Sequence, residues 1–227
     1  MIALVDYGMG NLRSVANAFE ALGERVVITH DPQHLREAVA IILPGVGAFG
    51  DGMRRLEELG LVTCLHEEIL IKRKPYLGIC LGMQFVATES LEDGSHRGFN
   101  WIRGTVRRIV SDDPRYKVPH IGWNELTIER PGGLFANVPA QPVFYFVHSY
   151  YVDVAAQEAA VVTATCWHGV RITASVQKGH IFGVQFHPEK SQQVGLQVLK
   201  NFLTYVYHAE ETSDPRLDFA GRPGRPE

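Results

Sequence analysis

The stretch Gly-Ile-Cys-Leu-Gly at residues 78–82 decides the fold, because it places a cysteine between two glycines where a strand turns into a helix. Residues 75–79 have the pattern of a short buried strand, and a helical pattern begins at Met83. A turn this sharp needs glycine two positions before and after the reactive residue, since the backbone is strained and its neighbours approach closely. A cysteine at a helix N-terminus is favoured as thiolate. The pattern predicts that Cys80 is a nucleophile on an α/β sheet, rather than one more buried cysteine.

Composition narrows the class of protein. The chain has 227 residues, of which 45% are hydrophobic and 21% charged, as is typical of soluble globular proteins. A net charge of −3 without a basic stripe argues against nucleic acid or an anionic membrane as partner. We find no leader sequence and no apolar run long enough to span a bilayer.

The three cysteines lack the pair spacing of a metal site, so we expect no metal and no cofactor. Free thiols suit a reducing compartment, which predicts a cytoplasmic protein. Cys64 and Cys166 lie in apolar stretches and are predicted to be structural.

The first 90 residues alternate strand and helix patterns, which predicts a mostly parallel central sheet with helices on both faces. The predicted strands before the cysteine cover residues 2–6, 25–29 and 40–43, and the predicted helices cover residues 11–22 and 52–72, with a further helix capped at Asp31-Pro32.

After Glu89 the pattern changes to short strands with short turns. Six candidates are predicted as antiparallel additions to the sheet and an edge ribbon: residues 101–110, 125–129, 143–147, 160–166, 171–177 and 180–186. A last helix is predicted from about residue 191 to 208. The prediction is a single domain over residues 1–208 and a disordered tail over residues 209–227.

A cysteine nucleophile needs a base and an orienting partner for that base. Among the ten histidines, only His187 has a carboxylate at a suitable spacing, in His187-Pro188-Glu189. Side chains two apart in an extended segment point the same way, and proline favours that conformation in the residue before it. The alternative is a polar surface turn, but together with the elbow the run predicts a triad of Cys80, His187 and Glu189.

An oxyanion hole is expected beside the nucleophile. One donor is the N–H of Leu81, and the other comes from the loop after the preceding strand, at Val46 or Gly47. Residues 45–50 also match the Gly-x-Gly-x-x-Gly pattern of dinucleotide-binding proteins. That fingerprint belongs on a first strand–helix turn, whereas this one follows a third strand, so nucleotide binding is the weaker interpretation.

With these residues in place, residues 2–207 resemble the class I, triad-type glutamine amidotransferases, which implies a flavodoxin-like α/β fold. The elbow and the His-Pro-Glu run mark the superfamily. Three runs point to the subunit family that supplies ammonia in histidine biosynthesis: Asp-Tyr-Gly-Met-Gly-Asn-Leu at 6–12, Pro-His-Ile-Gly-Trp-Asn at 119–124 and Phe-Val-His-Ser-Tyr at 146–150. No catalytic position departs from the family pattern.

The resemblance implies that Cys80 attacks the amide of glutamine, that His187 carries the thiol proton to the leaving ammonia, and that Glu189 orients His187. It also implies that the substrate pocket contains Gln84, Ser149 and Tyr150. Two alternatives stay open for these pocket residues: Gln84 could lie on the polar face of its helix, and Tyr150 could face the core.

By the same resemblance, the ammonia passes to a (β/α)8-barrel cyclase subunit in a heterodimer, which makes imidazole glycerol phosphate and an aminoimidazole carboxamide ribotide. A mobile oxyanion loop would make glutaminase activity depend on that partner. Asn11 and Trp123 are candidates for the partner face, although core burial of Trp123 is an alternative.

Other functions stay open at the level of sequence. A sister amidotransferase of the same class, for anthranilate or vitamin B6 synthesis, lacks the runs at 6–12 and 119–124. A γ-glutamyl hydrolase or cysteine peptidase would be fully active alone. A binding module without catalysis would have no use for the intact triad.

Overall fold

The computed structural model describes residues 1–213 of the chain. Its strands are β1 (Ile2–Val5), β2 (Val26–Thr29), β3 (Ala40–Gly45), β4 (Tyr76–Cys80), β5 (Glu89–Ser90), β6 (His96–Arg97), β7 (Gly104–Arg108), β8 (His120–Glu125), β9 (Thr127–Ile128), β10 (Val143–His148), β11 (Tyr150–Val154), β12 (Val162–Trp167), β13 (Arg171–Lys178) and β14 (Ile181–Val184). Its α-helices are α1 (Leu12–Glu20), α2 (Pro32–Glu37), α3 (Phe49–Glu58), α4 (Leu61–His66), α5 (Leu81–Gln84) and α6 (Gln192–Ser213).

Eight strands form the central sheet in the order β2-β1-β3-β4-β14-β13-β12-β9. The pairs from β2 to β14 are parallel, and those from β14 to β9 are antiparallel. A two-stranded ribbon of β10 and β8 and a four-stranded sheet in the order β11-β7-β5-β6 complete the fold. The predicted α/β class with a mostly parallel central sheet is confirmed.

The hydrophobic core lies on both faces of the central sheet, because successive side chains of a strand point to opposite sides. In β1, Ile2 and Leu4 pack in one cluster with the α6 residue Phe202. Ala3 and Val5 pack in the other, with α2–α4. Strands buried on both faces need near-continuous apolar sequence, which is what β1 and β3 contain.

The predicted helix over residues 52–72 is wrong as a single element. The chain forms α3, α4 and a π-helical turn at Glu67–Ile71 instead. The break falls at Gly60, whose φ is +67°, a conformation that ends a helix and that glycine adopts without strain. The helical pattern continues through the break because both helices bury residues on the same side of the sheet.

Two predictions in the second half also need correction. The strand predicted at 180–186 was expected to be antiparallel, but β14 pairs parallel with β4 and only its other edge is antiparallel. The strand expected at 125–129 is divided between the end of β8, which pairs with β10, and β9, which pairs with β12, and β11 is absent from the predicted strands. Neighbours in a sheet are set by long-range pairing, which local pattern does not encode.

The last helix, α6, continues to Ser213, past the predicted boundary at residue 208. The rest of the predicted tail, residues 214–227, lies outside the described residues. No helix within residues 1–213 is both long enough and apolar enough to cross a lipid bilayer.

Candidate active site

The predicted elbow is present at the end of β4. Cys80 has φ +54° and ψ −108°, a conformation that L-residues rarely adopt, and α5 begins at the next residue. A Cβ on Gly82 would overlap the carbonyl of Leu43, and one on Gly78 would overlap the carbonyl of Gly82. The two glycines are therefore required by close backbone approach on both sides of the cysteine.

The Cys80 thiol accepts a hydrogen bond from the residue that follows β14. Cys80 is 6% exposed, and the amide nitrogen of the fully buried Gln185 lies 3.6 Å from its sulfur, as a hydrogen-bond donor. Gln185 follows β14 directly and sits two residues before His187. It was not predicted from the sequence. The sequence signal that could have identified Gln185 is its position two residues before His187 in an extended segment, because side chains two apart in such a segment point to the same side.

The base and its orienting group form a buried pair. Nδ1 of His187 donates to Oε1 of Glu189 across 2.7 Å, and the two side chains are 4% and 1% exposed. His187 is extended, with φ −100° and ψ 95°, and Pro188 begins a short 3-10 turn. Because Nδ1 is taken up by Glu189, Nε2 is the nitrogen left for the Cys80 thiol.

The electrostatics of His187 reflect both neighbours. Burial alone would lower the pKa of its imidazole, but the neighbouring Cys80 and Glu189 raise that pKa to about 10. Nε2 of His187 is buried and makes no hydrogen bond within residues 1–208, so this nitrogen is available to the thiol. The site therefore favours a protonated imidazole beside the sulfur.

A cavity of about 360 Å³ opens onto the thiol. Its lining contains seven of the predicted site residues: Val46, Gly47, Cys80, Leu81, Gln84, Ser149 and Tyr150. Pro119, Val147, His148 and Glu92 complete the lining. The two other predicted catalytic residues, His187 and Glu189, are not part of the cavity lining. The structure thus brings the predicted nucleophile, oxyanion donors and substrate residues to one cavity.

The loop after β3 forms one rim of this cavity. Gly45 pairs with Cys80 in the register of β3 and β4, so the next two residues, Val46 and Gly47, follow beside the sulfur and are exposed. A Cβ on Gly45 would overlap the hydroxyl of Tyr7. The three glycines at 45, 47 and 50 meet Tyr7, Met9 and His96, so close packing accounts for each of them, and the loop follows β3 rather than a first strand, which disfavours the dinucleotide hypothesis.

Gln84 is buried rather than placed on a solvent-facing side of α5. Its amide nitrogen donates to the Tyr150 carbonyl at 2.9 Å and to the side-chain oxygen of Gln185 at 3.1 Å. Gln84 also lines the cavity. Tyr150 is half-buried and packs against the core while it lines the cavity, so both interpretations of that residue hold in part.

Glu92 is a further acidic group of the cavity that the sequence did not reveal. Its Oε2 accepts a hydrogen bond from the backbone N–H of Phe49 at 2.7 Å. Burial raises the pKa of its carboxyl group, and the Phe49 hydrogen bond opposes that shift. Glu92 lies in a polar turn after β5, and nothing in the local sequence distinguishes it from an ordinary surface glutamate.

The two candidate partner residues lie outside the cavity lining. Asn11 is exposed and caps α1, accepting from the N–H of Ser14. Trp123 is 50% exposed on the outer side of β8, so core burial is wrong for it. Its ring meets Tyr145 edge-on at 5.8 Å, and Lys190 lies over the same tyrosine ring at 5.7 Å.

Comparison with known proteins gives three kinds of match. A family model for glutamine amidotransferase class-I matches residues 3–206. Imidazole glycerol phosphate synthase subunit HisH of Moorella thermoacetica is 48% identical over 208 residues, covering 92% of this chain and 96% of that protein. The HisH subunit of Geobacter sulfurreducens is 48% identical over 205 residues, covering 88% and 97%.

Solved structures share the fold at lower identity. A putative GMP synthase protein from Thermoplasma acidophilum superposes with a TM-score of 0.69 at 19% identity, covering 93% of this chain and 96% of that one. PurLQS from Thermotoga maritima gives a TM-score of 0.68 at 20% identity, covering 90% and 98%.

Proposed function

The chain belongs to the class-I glutamine amidotransferases, among the HisH subunits of imidazole glycerol phosphate synthase, and from that premise we propose that Cys80, His187 and Glu189 hydrolyse glutamine. The observation that carries this proposal is the convergence of a strained, buried cysteine with an imidazole already oriented by a carboxylate. That combination is the activated nucleophile of acyl transfer.

The reaction proceeds through two acyl transfers. The Cys80 sulfur attacks the side-chain carbonyl carbon of glutamine, and the C–N bond breaks as protonated His187 delivers a proton to the leaving ammonia. The product on the enzyme is a glutamyl thioester. His187 then takes a proton from water as that water attacks, the C–S bond breaks, and glutamate leaves with the thiol restored. Glu189 holds one tautomer of His187 and stabilises its cationic form.

The oxyanion of each tetrahedral intermediate needs donors beside the thiol. The N–H of Leu81 is the first, since the residue after an elbow nucleophile supplies that donor. The amide of Val46 or Gly47 is the second, because the β3–β4 register places that loop beside Cys80. Loss of one such donor costs about 10²- to 10³-fold in rate, so the position of this loop controls the activity.

The cavity also contains groups suited to free glutamine. Glu92 places a carboxylate on the lining, opposite in charge to an α-ammonium group. Gln84, Ser149 and Tyr150 lie on the same lining and complete the proposed substrate pocket. A free amino acid is thereby distinguished from a glutamine residue within a peptide chain, whose α-amino group is tied up in an uncharged amide.

The ammonia passes to a (β/α)8-barrel cyclase subunit that completes the heterodimeric synthase of histidine biosynthesis. The HisH relatives are named as subunits of imidazole glycerol phosphate synthase, which supports a partner-dependent enzyme. The exposed Trp123 is the best-placed anchor for that partner, since aromatic side chains dominate such contacts. Three free cysteines support a reducing, cytoplasmic compartment.

Labelling with acivicin, an electrophilic glutamine analogue, tests the proposal. Mass spectrometry should find one adduct, on the peptide containing Cys80, and excess glutamine should suppress it. Cys80→Ala should remain unlabelled, while the matched variant Cys64→Ala should label as the wild type does. Labelling of Cys64 or Cys166 instead of Cys80 would contradict the assignment of the nucleophile.

A further inference from the structure

A pair of buried histidines connects the wall of the glutamine cavity to β8. His148 and His120 are 7% and 3% exposed. Nδ1 of His148 lies 2.8 Å from the carbonyl oxygen of Tyr150, and its Nε2 lies 2.9 Å from Nδ1 of His120. Nε2 of His120 lies 3.1 Å from the side-chain nitrogen of Asn124. None of the steps in the catalytic reaction uses these groups.

The donors and acceptors in this series of hydrogen bonds can be assigned from the two terminal groups, the Tyr150 carbonyl and the Asn124 amide. The Tyr150 carbonyl can only accept, so Nδ1 of His148 carries its proton and the Nε2 of a neutral His148 is bare. Nδ1 of His120 must then donate, which leaves its Nε2 as an acceptor for Asn124. The Asn124 nitrogen also donates to the carbonyl of Trp167 at 3.0 Å, which confirms that this atom is the NH2 group.

The packing around the pair holds both rings in place. His120 stacks on Phe146 at 4.7 Å and on His168 at 4.0 Å between ring centroids. The Tyr150 carbonyl at the other end accepts from Gln84 as well as from His148. The histidine pair is therefore linked by hydrogen bonds to two residues of the cavity lining, Tyr150 and Gln84.

We propose that His120 is a positioning residue for glutamine binding: through His148 it fixes the Tyr150 carbonyl, and that carbonyl fixes Gln84. The inference rests on the proposed function, because it concerns the glutamine cavity. An apolar side chain at position 120 would leave the bare Nε2 of His148 buried without a donor, and relief of that loss would turn His148 away from Tyr150.

Two substitutions separate the hydrogen bond from the packing. His120→Phe keeps a flat ring between Phe146 and His168 but has no donor. His120→Asn loses the ring but can place its amide NH2 where Nδ1 was. Iodoacetamide alkylation of Cys80, followed on its peptide by mass spectrometry with increasing glutamine, gives the concentration of glutamine that protects half of the thiol.

The expected result is that His120→Phe raises this concentration about tenfold, since it leaves a buried acceptor unpaired. His120→Asn should remain closer to the wild type. The reverse order, with Asn worse than Phe, would show that packing alone matters and would overturn the positioning role, as would wild-type protection in both variants. A wild-type chain that glutamine fails to protect would instead count against the proposed function.

The imidazole ¹⁵N shifts of the unmodified chain test the same inference without a variant. Both His120 and His148 are expected in the Nδ1–H tautomer at neutral pH. Asn124→Asp should make His120 doubly protonated, because it could then donate to His148 and to the new carboxylate. An Nε2–H tautomer at either histidine in the wild type would overturn the proposal.

Discussion

Nδ1 of His187 donates to Oε1 of Glu189 across 2.7 Å, between two side chains that are almost completely buried. The other carboxylate oxygen of Glu189 has no hydrogen-bond partner within residues 1–208. An ionised carboxylate with one partner is costly to bury unless that partner is cationic. The pair therefore stabilises the imidazolium form of His187, which is the form that the proposed mechanism requires when ammonia leaves.

Replacing Glu189 with Gln tests this relationship. Cys80 and Glu189 together hold the pKa of His187 high, and the neutral amide removes the Glu189 contribution, so that pKa should fall, and glutamine hydrolysis should drop about 10²- to 10⁴-fold. The first effect is measured by NMR titration of the imidazole and the second by glutamate formation. The exposed Glu57→Gln is the matched control and should change neither quantity. An unchanged pKa in Glu189→Gln would contradict this account.

The elbow glycine at position 82 has a steric rather than a chemical role. A Cβ there would overlap the Leu43 carbonyl, a backbone atom of β3 that cannot rotate away. We expect Gly82→Ala to lower the free energy of unfolding by about 3 kcal/mol or more, as an overpacked core site does. Urea denaturation measures this. Gly10→Ala, where a Cβ meets only ordinary contacts, should cost far less; similar losses would contradict the explanation.

Two buried tyrosines beside the elbow offer a paired prediction. The hydroxyl of Tyr76 donates to the Gly82 carbonyl at 2.8 Å, whereas the hydroxyl of Tyr7 is buried with no partner in the described part of the chain. Tyr76→Phe should lower the free energy of unfolding by about 1 to 2 kcal/mol, and Tyr7→Phe should be neutral or stabilising. Thermal denaturation of both variants measures the two effects. A larger loss of stability in Tyr7→Phe than in Tyr76→Phe would contradict this assignment of the hydrogen bonds.

Acid should destabilise the protein through the histidine pair. Burial and the neighbouring histidines lower the pKa of His120 to about 3. Burial, opposed by the hydrogen bond to Tyr150, lowers the pKa of His148 to about 4. Well above pH 6.5, both histidines are neutral in the folded chain and in the unfolded chain. Below it the unfolded chain binds protons that the folded chain excludes, so each histidine reduces stability by up to about 1.4 kcal/mol per pH unit.

Urea unfolding between pH 6.5 and 5 checks this slope. His120→Asn should make it shallower, because one excluded proton is lost. The exposed His30→Asn should leave it unchanged. Equal slopes in the wild type and His120→Asn would argue that His120 is protonated in the folded state.

The local geometry of the candidate site could be predicted from the sequence because it is encoded in short runs. Cys80 sits between two glycines that the strand–helix turn requires, and His187 precedes its carboxylate by two residues in an extended segment. Each of these two runs predicts its own local structure, because the spacing of its residues follows from the backbone conformation. The parallel half of the sheet could be predicted for the same reason, from alternating strand and helix patterns.

The missed features depend on contacts between distant residues. Gln185 reaches Cys80 across 105 positions, and His120 reaches His148 across 28. The parallel pairing of β14 with β4 likewise joins segments about a hundred residues apart. Glu92 enters the cavity only because the turn after β5 folds over α3. None of these partners can be identified from local periodicity.

The most direct test of the central claim is ammonia release from glutamine by the purified chain, alone and with the proposed cyclase subunit plus that subunit's own substrate. The account predicts a low rate for the chain alone, a rise of about 10²-fold or more in the complete mixture, and no activity in Cys80→Ala under either condition. Undiminished hydrolysis by Cys80→Ala would contradict the catalytic assignment. Equal wild-type rates with and without the partner would contradict the ammonia-supplying role.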